Sequence, residues 1–176
     1  MKKYYILLLS FLSLIGYAQG DDEPVAWVIS VNRISATAVD LQFDATIADK
    51  WHLYSLKEFE DGPLPTEFTF EIDSLKVRLD GPMTSSETKI EFDAIFEIDL
   101  PFFEYNARFT QRLELLDSSL EQISGEINYQ ACDDRLCIFR TEPFTLSLQG
   151  NAIVASSIEI TSEDQLRSAA LTLNLK

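Results

Sequence analysis

Cysteine, histidine and positive charge are all scarce in this chain. Of 176 residues, two are cysteine, one is histidine and 14 are lysine or arginine, against 29 aspartate and glutamate. Each scarcity excludes something. Cys132, Cys137 and His52 fall short of the four Cys or His ligands that a structural zinc site usually takes, so neither a metal nor another cofactor is expected. No Gly-x-Ser-x-Gly element is present, and His52 has no evident Ser or Cys dyad partner in sequence, which argues against a hydrolase. No basic stripe relieves the acidic balance, so nucleic acid and anionic lipid are excluded as partners. Beyond the first twenty residues no apolar run is long enough to span a membrane, so membrane contact is expected only through a partner. Repeats and low-complexity linkers are also missing.

The chain opens with "MKKYYILLLSFLSLIGYAQG": two lysines, an apolar run over residues 4–17, and small residues at Gly16 and Ala18. That order predicts a secretory signal peptide over residues 1–18, cleaved after Ala18. The run is too short for a spanning anchor, which needs ~20 apolar residues, and no cysteine near the cleavage point offers a lipid attachment site. Losing Lys2 and Lys3 leaves 12 basic against 29 acidic residues, a net charge near −17, which a soluble acidic surface accommodates. Export places the mature protein, in the periplasm on this reading, where disulfides form and persist.

Period-two alternation dominates the rest. In "VDLQFDATI" Val39, Leu41, Phe43, Ala45 and Ile47 share one face. "EFTFEI" aligns Phe68, Phe70 and Ile72, "LKVRL" aligns Leu75, Val77 and Leu79, and "ARFTQRLELL", "ISGEINYQA" and "FTLSL" repeat the pattern. Such alternation marks antiparallel strands with one buried face. Turn residues separate the runs at 60–65, 80–82 and 117–119. Seven to nine strands without a convincing helix predict an all-β, two-sheet sandwich in one domain over residues 24–149. Residues 150–176 form an extension in which Ser162 and Gln165 have capping-box spacing, predicting a short helix there or else an edge strand.

Both cysteines fall in "YQACDDRLCIFR". Strand patterns on either side place residues 133–136 at the tip of a tight connection with the cysteines opposed, a geometry within disulfide range. Closing a loop this short stabilises by roughly 2 kcal/mol, against almost 5 for a loop of ~100 residues. A staple and a redox pair are equally open on these residues alone. Asp133 and Asp134 disfavour a thiolate while Arg135 partly offsets them, which predicts a thiol that is not acidified and reacts efficiently only with a docked partner.

"GEINYQACDDRLC", together with "DKWHLYS", "GPLPTEFTF", "EFDAIFEIDLPFF" and "ARFTQRL" in that order, resembles the N-terminal periplasmic domain of the thiol:disulfide interchange protein DsbD over roughly residues 24–149. The resemblance implies an immunoglobulin-like sandwich whose cysteine pair alternates between dithiol and disulfide. It implies partners as well: a thioredoxin-like protein or membrane electron-carrier domain on one side, oxidised periplasmic proteins on the other. It further implies a cap over the sulfurs, placed by position at "EFDA" with Glu91 and Phe92, and a neighbouring strand at "WHLY" carrying His52 and Tyr54. The ordinary readings of these residues are core packing for Phe92, a strand aromatic for Tyr54 and a half-exposed pairing residue for His52. "CIFR" lacks the prolines the family commonly has after the second cysteine, and the chain is expected to be a stand-alone module supplied with electrons by another protein.

Two functions follow from the same residues. The first is an exported carrier that exchanges disulfides through Cys132 and Cys137. The second is a binding or assembly module that keeps the bond as a clip and uses strand edges and the apolar stretch "LPFFEY" (residues 100–105) as its contact surface. Soft-metal handling through Cys132, Cys137 and His52 is a weaker third.

Overall fold

The structure is a computed structural model that describes residues 23–148 and, as backbone only, a further strand over Ile153–Ala155. The expected signal peptide and the expected helix or edge strand around Ser162 and Gln165 lie outside the described residues. Among the described residues, twelve strands form two antiparallel sheets and no helix occurs. In the first sheet, β12 (Ile153–Ala155) pairs with β1 (Val25–Arg33), followed by β2 (Ala38–Ile47), β9 (Asn106–Leu115) and β5 (Val77–Leu79), with β6 (Thr84–Ser85) also on β9. In the second, β11 (Cys137–Ser147) leads to β10 (Gln122–Cys132), β3 (His52–Tyr54), β8 (Ile98–Glu104) and β7 (Lys89–Asp93), with β4 (Glu67–Glu71) also on β10. This is the all-β, two-sheet sandwich that the alternation predicts, in the immunoglobulin-like form that the resemblance implies, with more strands than expected because several of them are short.

Alternation fixes which residues meet between the sheets. Val39, Leu41, Phe43, Ala45 and Ile47 are all buried, and Ile127, Tyr129 and Ala131 of β10 answer them from the facing sheet. Aromatic rings fill the centre: Trp27 contacts Phe68, Phe109 and Tyr129, with ring centroids 5.7–6.0 Å apart. Gly125 lets β4 and the Phe144 ring close on β10, because a Cβ there would lie 2.1 Å from the Thr69 carbonyl oxygen. Two expected runs are shorter than their patterns. "LKVRL" is a strand only from Val77, and Leu75 sits in the preceding turn, 83% exposed. "EFTFEI" ends as a strand at Glu71, leaving Ile72 exposed. A larger correction concerns "LPFFEY". Residues 100–104 belong to β8 inside the second sheet, with Leu100, Phe102 and Phe103 buried, so they form no contact loop.

Candidate functional site

Because successive side chains of a strand alternate faces, Cys132 points away from the face that Ala131 and Tyr129 bury between the sheets. It belongs instead to a second, smaller apolar cluster with Tyr54, Leu100 and Phe102, packed by Phe59, Phe96 and Cys137. This cluster lies on the outer face of the second sheet. Cys132 and Cys137 are directly opposed in the β10–β11 ladder and disulfide-bonded, with Cα atoms 4.0 Å apart. The two sulfur-bearing residues are unequal: Cys132 has no exposed surface, whereas Cys137 is half-buried.

The hairpin tip is built by Asp133. Its carboxylate accepts the backbone N–H groups of Arg135 and Leu136 at 2.8 and 2.7 Å, and its own N–H donates to the Leu136 carbonyl. Those backbone donors hold the Asp133 carboxyl below its ordinary range. Asp134 and Arg135 stand exposed at the tip.

On the other side of Cys132, β3 brings His52 directly opposite it, and β8 places Glu104 opposite His52. Two residues on, Tyr54 is buried in the cluster. Its hydroxyl donates to Asp93 Oδ2 at 2.6 Å, and His52 Nε2 lies 3.1 Å from the Tyr54 hydroxyl oxygen. Since Tyr54 commits its proton to Asp93, the His52 ring N–H donates to the phenol oxygen. Asp93 also accepts the N–H groups of Ile95 and Phe96 at 2.8 and 3.2 Å. Burial alone would raise the Asp93 carboxyl, but these hydrogen bonds and nearby His52 hold it below the usual range. Burial pushes His52 down despite the acids around it, and burial with the Asp93 bond pushes the Tyr54 hydroxyl far up.

Asp93 thereby ties the β7–β8 turn to β3, and the turn carries Phe96 onto Tyr54, ring centroids 5.9 Å apart. Phe96 and Phe59, rather than Phe92, are the aromatics packed on the cysteine cluster. Phe92 is 65% exposed on β7 because it alternates with Glu91 and Asp93, whose partners in the sheet include Leu100. Glu91 is itself exposed and ion-paired with Lys89 at 3.0 Å. A cleft of about 580 Å³, lined by Trp51, His52, Asp93, Ile95, Asp133 and Asp134 among others, opens beside this arrangement.

Sequence reasoning passed over Asp93, Phe96 and Gln130. Gln130 is two residues before Cys132, hence on the same face, and its Nε2 lies 3.7 Å from the Cys132 sulfur. Parity around Cys132 was the available signal for Gln130; Asp93 stood in the "EFDA" stretch that the resemblance placed at the cap, and nothing local marked Phe96. Among the described residues, no group of three or more His, Cys, Asp or Glu side chains is gathered to hold a metal ion.

The comparisons with known proteins agree with this geometry. The profile described as thiol:disulfide interchange protein DsbD, N-terminal, matches residues 22–149. Among solved structures, the reduced DsbD N-terminal domain of Neisseria meningitidis is 19% identical with a TM-score of 0.50, covering 75% of this chain and 91% of that one. The N-terminal periplasmic domain of ScsB from Proteus mirabilis is 16% identical with a TM-score of 0.56, covering 89% of this chain and 57% of that one. A complex of the DsbD and PilB N-terminal domains from Neisseria meningitidis is also similar, at 15% identity and a TM-score of 0.47, covering 75% of this chain and 89% of that one. No curated protein matches the chain. At such identities the first two of these structures show the shared fold alone, while the profile spans most of the chain and both cysteines: this protein belongs to the family of DsbD N-terminal domains, whose chemistry is thiol:disulfide interchange.

Proposed function

We propose that the protein is an exported, periplasmic carrier that relays electrons between a thioredoxin-like partner or membrane electron-carrier domain and oxidised envelope proteins. The observation that carries this reading is where the disulfide sits. It joins two residues already paired in a ladder, closes a six-residue loop and leaves one sulfur-bearing residue accessible. A bond so placed adds little to stability and much to reactivity.

The unequal burial sets the order of events. A partner thiolate attacks the Cys137 sulfur, forming an intermolecular disulfide as the Cys132–Cys137 bond breaks and its electron pair moves to Cys132. The partner's second thiolate then attacks the partner's own sulfur in that mixed disulfide. Cys137 is released, and the partner leaves as a disulfide. Two electrons have passed to the module, whose sulfurs take up two protons from solvent, and the reverse sequence hands them to an oxidised protein. In this scheme Phe96, held by Asp93 and Tyr54, shields the pair until docking displaces it. Glu91, Phe92, His52, Asp133 and Asp134 form the rim that a partner meets, with Arg135 at its tip.

Equilibration of the mature domain with defined dithiothreitol or glutathione ratios, followed by thiol counting, tests the reading. A potential within roughly −120 to −270 mV, the spread of known exchange proteins, is expected. A value below about −300 mV would mark an inert bond. The exposed Ile90 and Phe92 on edge strand β7 would then favour a binding module.

A further inference from the structure

We infer that Gln130 is a catalytic residue of the exchange reaction, donating a hydrogen bond to the Cys132 sulfur as that sulfur becomes a thiolate. The inference rests on the carrier function proposed above. Its starting point is the amide's orientation. Gln130 Oε1 accepts the backbone N–H of Leu64 at 2.8 Å, and because that N–H can only donate, the amide is locked with its NH₂ group toward Cys132, 3.7 Å from the sulfur. Leu64 is itself constrained. It stands between Pro63 and Pro65, and a residue before proline is held extended. Leu64 is assigned to no strand, so its N–H is available to the side chain.

The chemistry gives this donor a purpose. When a partner thiolate attacks Cys137, the departing electron pair lands on Cys132, which has no exposed surface and is packed among Tyr54, Leu100 and Phe102. A thiolate there loses its hydration and is destabilised. The charged groups nearby do not supply a substitute. Asp133 and Asp134 at the tip, Asp93 at the end of β7 and Glu104 of β8 are acids, Arg135 at the tip is exposed to water, Lys89 is bound to Glu91 and Glu104, the Tyr54 proton is committed to Asp93, and the His52 Nε2 proton to Tyr54. A neutral amide bonds a disulfide sulfur weakly, but the same contact becomes charge-assisted as the sulfur turns anionic. Its stabilisation therefore grows toward the transition state, which is the condition for accelerating the step. In the reverse direction the same bond favours the Cys132 thiolate that must attack the mixed disulfide.

Two substitutions separate the donor from its anchor. Gln130→Glu keeps an oxygen for the Leu64 N–H and replaces the NH₂ group by a second oxygen, whereas Gln130→Met keeps the length and removes both polar atoms. The reduction rate by dithiothreitol is read in the otherwise native protein. The Cys132 pKa is read in a Cys137→Ser background from the ultraviolet absorbance of the thiolate, with thermal melting to confirm folding. Expected for both substitutions are a rate about tenfold lower and a Cys132 pKa higher by about one unit, larger for Glu than for Met. A rate within about twofold of native together with an unmoved Cys132 pKa in both folded variants would overturn the proposal. The pKa arm needs no partner and no particular redox potential. An inert disulfide would therefore sink the carrier reading while the effect of Gln130 on the thiolate remained visible.

Discussion

The two apolar clusters of this protein are built on the same second sheet and differ in what covers them. Between the sheets, the larger cluster is closed by another sheet, with side chains from β1, β2 and β9 meeting those of β10 and β11. On the outer face, the smaller cluster of Tyr54, Leu100, Phe102 and Cys132 is closed by parts of loops: Phe96 from the β7–β8 turn and Phe59 from the segment after β3. A sheet held by ladders along its whole length opens only with global unfolding. A turn held by the Asp93–Tyr54 bond and one ring opens locally and far more cheaply. On the carrier function proposed above, the difference shows how a sandwich can keep a rigid body and a reactive disulfide in one small domain, with the chemistry assigned to the lightly covered face.

The comparison can be broken most severely at the sulfurs. Cys137→Ser or Cys132→Ser is expected to abolish exchange turnover and lower stability by no more than about 2 kcal/mol; turnover retained by both variants would refute the carrier function. On the opposite face of the same strand, Gly125→Ala is expected to cost about 2–3 kcal/mol through overpacking against the Thr69 carbonyl and the Phe144 ring. Urea denaturation measures that loss, and the rate of disulfide reduction per folded molecule should not change. Phe96→Ala is the converse. It should cost about 1 kcal/mol, since the ring is only partly buried, while reduction by small thiols speeds up about fivefold, an accessibility effect of that same order. An unchanged rate would mean that Phe96 does not shield the pair.

The subtlest test is Tyr54→Phe, expected to cost about 1–2 kcal/mol by removing one donor from a buried carboxylate. Its pH dependence is specific. Asp93 titrates below its ordinary value of 3.8 in the folded protein, so the stability it contributes is present above that value and is lost as pH falls through the lower folded one. Without the hydroxyl the folded value moves back up, and this acid-side loss should shrink in a pH series of urea denaturations. An identical acid profile in both proteins would show that the hydroxyl is not what holds the carboxylate down.

Much of this was legible in the chain itself. The run from Val39 to Ile47 gave β2 with its buried face correctly assigned, and the strands around "CDDRLC" gave the hairpin and its opposed cysteines. These are local consequences of period two. The misreadings have separate causes. "LPFFEY" looked like an exposed apolar loop because both of its faces are apolar, and it proved to be a strand that supplies Leu100 and Phe102 to one cluster and Phe103 to the other. Phe92 was expected over the sulfurs because it lies near them in the resemblance, yet alternation along β7 sets it apart from Glu91 and Asp93, and the following turn brings Phe96 instead.

What the sequence determined by itself was the alternation, the turns, the acidic charge and the spacing of the two cysteines, each a property of neighbours along the chain. Only the tertiary structure decided which cysteine is buried, which aromatics cover it, and that Tyr54, His52 and Gln130 gather beside it with Asp93 holding the Tyr54 hydroxyl. Those residues come from β3, β10 and the end of β7, separated by tens of positions, and their meeting depends on the order in which strands pair across the sheet. Strand order is set by the packing of whole faces against one another, a long-range outcome that local periodicity does not encode.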